Sequence, residues 1–224
     1  MRKNKSIVIS YMNLRTVIGI LGMLLPIMCF VWCLLFNNRI VLESISMHYY
    51  TNFRDIFVGI LITFSVFLIT YKGYDALDNI ITIIIGGSGI GVALFPCENE
   101  AVIEKVSFLL LSTSQTSVVH YSCAGLFFAL LAFNSFFLFT KSNEKVMRKS
   151  RKYYRNIVFR ISGIIIVVGL VGVLVSLIFA SMDFRNKSHI ILILEAIMLT
   201  AFGISWFIKG GVLIKDKKLV IASV

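Results

Sequence analysis

Six stretches of almost unbroken apolar residues run along the chain, at about Leu14–Phe36, Phe53–Tyr71, Ile80–Phe95, Val118–Thr140, Ile157–Ala180 and His189–Ile208, separated by short polar segments. A helix needs about 20 apolar residues to cross roughly 30 Å of hydrocarbon. The stretches meet or approach that length. The pattern therefore predicts an all-α fold, a polytopic bundle of six transmembrane helices forming one integral membrane domain over residues 1–224. The third stretch is short and contains "GGSGIG", but Asp75 and Asp78 before it and Pro96 after it read as helix boundaries. A further apolar piece, "VIEKVSFLLL", carries Glu104 and Lys105 and is too short to cross. It reads as an interfacial amphipathic segment.

Composition agrees with lipid as the solvent. Hydrophobic residues make up 58% of the chain, charged residues 15%, and the mean hydropathy is +0.90. A water-soluble core cannot hide that much apolar surface. The basic N-terminus superficially resembles a secretory signal, but its apolar run is too long and lacks a small-residue cleavage site, so it reads as a retained first helix.

The net charge of +11 gains meaning from its distribution. With an inside N-terminus, the inner segments hold 17 of the 22 basic residues and four acids, whereas the outer segments hold five basic and six acidic residues. Lysine and arginine concentrate on the cytoplasmic side of membrane proteins, so both termini are predicted to be cytoplasmic. The densest run, "KSNEKVMRKSRKYYRNIVFR", reads as a positive-inside anchor with Tyr153 and Tyr154 at the headgroups. Lys145, Arg148, Lys149, Arg151, Lys152 and Arg155 are candidate contacts to anionic lipid there. Nucleic-acid binding is excluded, because no segment is long enough to build a soluble reader.

Candidate chemistry is sparse. Glu195 lies roughly 9 Å below the start of the last helix, at a depth where an ionisable group needs a partner. Glu195, Leu199, Phe202 and Trp206 share one helical face, with Ser205 beside them. Its role is open between a structural bond and work on a ligand or proton. All three histidines, His48, His120 and His189, fall on the outer side, as does the "SISMHYYTNFRD" loop. An outward-facing cavity could thus collect Glu195, His120, Arg54, Asp55 and Ser46. In that reading Glu195 is a buried acid hydrogen-bonded to His120, Arg54 is the headgroup-binding cation, and Asp55 orients it or caps the second helix. Any catalysis would most simply be general acid–base work by His120 and Glu195.

Other chemistries find little support. There is no HExxH and no i, i+4 histidine pair, so no metal and no cofactor is expected. No Gly-x-Ser-x-Gly elbow exists, and a serine–histidine hydrolase would have to be assembled from separate helices. The glycines Gly86, Gly87, Gly89 and Gly91 lack the lysine of a phosphate loop and read as close helix packing, through Gly87 and Gly91 one turn apart. Gly163, Gly169 and Gly172 read the same way. Asp78 is expected to cap the third helix. The cysteines form no CxxC pair; Cys29 and Cys33 read as packing, and a Cys97–Cys123 disulfide stays open.

With these residues in view, the chain resembles a family of uncharacterised bacterial six-span membrane proteins. The resemblance rests on "SIS…YYTNFRDIFVGIL", "YKGYDALDN", "GVALFP", the histidine opening the fourth span and "EAIMLTAFGISWFIKG". It is more remotely similar to the eukaryotic Frag/DRAM/Sfk group, in which an "IS" loop precedes the second span, a histidine opens the fourth and an acid lies in the last helix. The matching positions are Ile45, Ser46, His120 and Glu195. That resemblance implies a role in membrane-lipid handling, and location in a bacterial inner membrane. The leading expectation is a protein that binds lipid or a lipid-linked ligand in an outward-facing interhelical cavity. The alternatives are a small proton-coupled transporter and a non-catalytic subunit that assembles with a membrane partner or with its own copies.

Overall fold

A computed structural model of the chain describes residues 11–99, 111–142, 147–148 and 150–213. The described residues are all-helical, without strands. The long helices are α1 (Tyr11–Phe36), α2 (Arg54–Thr70), α3 (Ala76–Leu94), α4 (Thr113–Phe133), α5 (Arg151–Phe179) and α7 (Ile190–Lys209), with a short α6 (Met182–Ser188) between the last two. Five of them, all but α2 and the short α6, are long and apolar enough to cross a membrane. The 17 residues of α2 rise about 26 Å at 1.5 Å each.

Polar caps explain where the helices begin. Asp75, rather than Asp78, caps α3, its carboxylate accepting from the Asp78 N–H. A reciprocal capping box between Ser112 and Gln115 starts α4 at Thr113, five residues before the apolar run. Ser150 accepts from the Tyr153 N–H and starts α5 at Arg151, so the basic segment forms its opening turns. Ser181 caps α6 in the same way. At the far end of α4 the chain continues into a π-helical turn, Asn134–Leu138.

The six long helices form a closed ring in chain order, α7 completing it against α1. The α1–α7 seam is the most intimate: a methyl group added to Gly19 would collide with the backbone of Gly203 and Phe207. Small residues allow this approach, as the glycine pattern led one to expect elsewhere. In "GGSGIG" the packing positions are Gly86 and Gly89, both against Ser65 of α2, and Gly91 against Cys123 of α4. Gly87 faces open space and packs on nothing, which corrects the reading of that position. Gly163 packs on Phe136, and Gly169 and Gly172 on Met198 and Leu194 of α7.

Aromatic rings fill the axis of the ring of helices. Phe64 stands 5.7 Å from Phe127 and 6.1 Å from Phe202, and Trp206 stands 5.0 Å from both Tyr71 and Phe139. Ser135 and Ser205 pair at 3.1 Å within this core.

Polar contacts sort the loops to two ends. At one end Arg15 donates to the Tyr71 hydroxyl at 2.9 Å, Lys141 bridges Asp75 (2.8 Å) and Asp78 (2.7 Å), and Lys209 donates to the Phe139 carbonyl. Arg148, Arg151, Lys152 and Arg155 belong to this basic end; Lys145 and Lys149 lie outside the described residues, as does most of "VIEKVSFLLL". At the opposite end the α1–α2 loop meets the end of α3 and the starts of α4 and α7. The four cysteines are free thiols, so the Cys97–Cys123 bridge is not formed.

Candidate functional site

The first turn of α7 organises the site. His189 enters it in a left-handed conformation (φ 51°), and its Nδ1 bonds the Leu42 carbonyl at 3.2 Å. The Leu192 N–H, one of the donors a helix start leaves unpaired, donates to the Glu43 carbonyl at 3.0 Å. The Ile45 N–H then donates to Oε2 of Glu195 at 2.7 Å. Three bonds thus fix residues 42–45 along α7, and the Ser46 amide also acts on the same carboxylate.

A 3₁₀ turn, Ser46–Tyr50, follows directly. The Ser44 hydroxyl, just before it, accepts from the Met47 N–H at 3.2 Å. The Ser46 hydroxyl turns instead to a partner outside the loop. That partner is His120 of α4, whose Nε2 lies 3.0 Å from Ser46 Oγ. The other ring nitrogen, Nδ1, lies 2.7 Å from the Phe95 carbonyl. A carbonyl can only accept, so Nδ1 carries a hydrogen and, in a neutral ring, Nε2 accepts from the Ser46 hydroxyl.

The Phe95 carbonyl is available because α3 ends at Leu94 and Pro96 follows. Proline disfavours helical continuation through the residue before it, so this carbonyl lies beyond the intrahelical ladder. Tyr50 reinforces the junction by donating its hydroxyl to the Cys97 carbonyl.

These groups line a cavity of about 560 Å³ between α4, α5, α7 and the α1–α2 loop. Its polar end holds Glu43, Ser46, Glu98, Asn99, His120, Arg185 and Glu195. Its length is apolar, with Ala124, Gly125 and Phe128 of α4 facing Leu170, Val173, Leu174 and Leu177 of α5 and Met198 of α7. Room exists because α4 and α7 barely touch across the ring. Tyr121, Leu174 and Leu177 line it and are also well exposed on the outer surface, so this wall is the one turned toward the bundle's surroundings. Below it, the aromatic core closes the axis.

Electrostatically the cavity is acidic. Among the described lining residues, three acidic side chains (Glu43, Glu98, Glu195) accompany one guanidinium, Arg185. Arg185 is itself turned to the carbonyls at the end of α5, Ser176, Leu177 and Ala180. Cys97 also lines the cavity, but burial pushes its thiol up to about 12, which keeps it protonated and a poor nucleophile. Among the described residues no group of three or more His, Cys, Asp or Glu could hold a metal.

Of the residues picked out in the sequence, the structure brings together Glu195, His120 and Ser46. His120 and Glu195 do not bond each other: each has a different partner in the loop, and Ser46 stands between them. Arg54 and Asp55 do not line the cavity. Arg54 lies over the Tyr49 ring, 4.2 Å from its centroid, and donates to that hydroxyl at 2.6 Å, so it is not the headgroup cation of this site. His48 is buried beneath Trp32 and Phe53, near Cys33. Burial pushes its imidazole below the ordinary value, in keeping with a core residue. Glu43, Glu98, Arg185 and the Phe95 carbonyl were not singled out from the sequence; the last was signalled by Pro96.

No protein-family model, curated protein or solved structure matches the chain. Its class is defined by fold and composition, a helical integral membrane protein.

Proposed function

We propose that this is a six-span membrane protein that holds a lipid or lipid-linked molecule in an outward-facing cavity. The observation that carries the reading is the shape and chemistry of the 560 Å³ space, polar at one end and apolar along its length, with one wall exposed to the surroundings. An amphipathic ligand matches such a lining: its chains satisfy the apolar wall and its headgroup meets the polar end. The basic end of the bundle faces the cytoplasm by the positive-inside bias, which turns the cavity outward. The α2 helix, at about 26 Å, is short but spans with modest local thinning of the bilayer.

Arg54 gives way in this reading to the acidic end as the headgroup determinant. Acidic side chains, Glu43 and Glu98 with Glu195 deeper in, outnumber the one guanidinium and favour a zwitterionic, amine-bearing or neutral headgroup over a phosphomonoester or other strongly anionic one. The aromatic closure beneath the cavity favours a binding pocket over a continuous path through the protein.

The test is lipid exchange in nanodiscs of defined composition, followed by identification of what purifies with the protein. Enrichment of a zwitterionic or amine-bearing lipid over an anionic one supports the proposal. Lipid recovered in proportion to the surrounding bilayer overturns it.

A further inference from the structure

We propose that Ser46 and His120 form a nucleophile and general-base pair for acyl transfer, with an ester-linked acyl lipid as substrate. The inference rests on the lipid-cavity reading for its substrate class and on separate geometry for its chemistry.

Three observations converge. Ser46 Oγ lies 3.0 Å from His120 Nε2, within reach for proton transfer. His120 Nδ1 lies 2.7 Å from the Phe95 carbonyl, which fixes the tautomer that leaves Nε2 able to accept a proton. Both side chains line the 560 Å³ cavity, the place where an ester carbonyl could reach them. Ser44, not Ser46, accepts from the Met47 N–H at the start of the 3₁₀ turn, and the Ser46 hydroxyl is turned to the histidine.

The Phe95 carbonyl takes the part that an orienting carboxylate plays in other nucleophile–base–orienter sets. It lies at the C-terminal end of α3, where the helix dipole is negative. A positive imidazolium is therefore stabilised at the moment it forms. The Cys97 thiol, in the same cavity, stays protonated and does not compete.

The step balances without any redox partner. Ser46 Oγ forms a bond to the ester carbonyl carbon as its proton passes to His120 Nε2. The tetrahedral adduct collapses, the carbon–oxygen bond to the lipid alcohol breaks, and that oxygen takes the proton from Nε2. The acyl group now rests on Ser46 as an ester. Water is the second reactant: His120 Nε2 takes a proton from it as it attacks the acyl carbon, then returns that proton to Ser46 Oγ as the carboxylic acid leaves. A second alcohol in place of water would make the reaction a transfer of the acyl chain rather than its hydrolysis.

The experiment treats the full-length protein, purified in mild detergent, with a fluorophosphonate probe, and reads adduct mass and site. In parallel it measures fatty-acid release from a dispersed zwitterionic phospholipid. The expected result is one adduct on Ser46, absent from Ser46→Ala, and slowed about 100-fold or more in His120→Gln. Lipid release falls in both variants. Thermal unfolding of Ser46→Ala and His120→Gln beside the wild type keeps a loss of chemistry separate from a loss of fold. A folded, lipid-loaded wild type that takes up no probe overturns the dyad and leaves the lipid-binding reading standing. Labelling undiminished in Ser46→Ala also overturns it. Labelling at Ser46 by a protein that neither retains nor cleaves lipid overturns the lipid substrate.

Discussion

Replacing Glu195 with alanine removes the acceptor that holds the α1–α2 loop on α7. The Ile45 N–H, 2.7 Å from Oε2 in a residue only 4% exposed, would lose its partner in a place water reaches poorly. A hydrogen bond contributes about 0.5–1.5 kcal/mol net, and leaving its buried donor orphaned costs about 1–3 kcal/mol. The two descriptions cover the same loss and do not add, so Glu195→Ala should cost about 1–3 kcal/mol. For a protein of this size that lowers Tm by roughly 2–12 °C, using about 2–4 °C per kcal/mol. Glu195→Gln keeps an amide oxygen as acceptor and should cost about 1 kcal/mol or less. The assay is thermal unfolding of both variants in the same detergent. If Glu195→Ala melts with the wild type, the carboxylate does not hold the loop. If glutamine is as damaging as alanine, the accepting oxygen is not what holds the loop.

Other expectations concern packing and the basic end. Gly19→Leu, at the α1–α7 seam, should destabilise by about 3 kcal/mol, because its side chain meets backbone that cannot give way. Gly87→Ala faces open space and should be neutral or stabilise by ~0.5–1 kcal/mol, by loss of glycine's conformational freedom in a helix; paired melting curves separate the two cases. Arg54→Ala loses a stacked cation worth ~0.5–1 kcal/mol but should leave lipid retention unchanged, as read by lipid extraction. The Lys141 ammonium beside Asp75 holds that carboxyl below its ordinary value. The contribution is thus present above the ordinary carboxylate pKa and lost as pH falls through the depressed one. Lys141→Met should flatten the acid limb of stability measured between about pH 5 and pH 2, and an unchanged limb would contradict the pairing.

Hydropathy made the long helices legible, because period and length are properties of the residues themselves. Their starts were less legible. The apolar run points to Val118 and Ile157, but Ser112 with Gln115, and Ser150, extend α4 and α5 outward as polar caps. Polar first turns leave no trace in a hydropathy profile, although the Ser-x-x-Gln spacing was readable. In the site, Ser46, His120 and Glu195 were readable as polar groups at the outer ends of spans. Which of them bond was not, since the pairing depends on how α7 grips residues 42–45 and on where Pro96 leaves a carbonyl. Arg54 drew attention by charge alone, yet the 3₁₀ turn places Tyr49 under it and takes it out of the cavity.

The most direct measurement uses Gly125, which lines the cavity and has nothing within 4 Å of the position a Cβ would take. Gly125→Phe is expected to put a ring into the space, since its Cβ meets no neighbouring atom. Native mass spectrometry of both proteins, released gently from detergent, should find lipid on the wild type and none on Gly125→Phe, at equal melting temperature. A wild type that arrives free of lipid, or a variant that carries the same lipid as the wild type, would contradict the account.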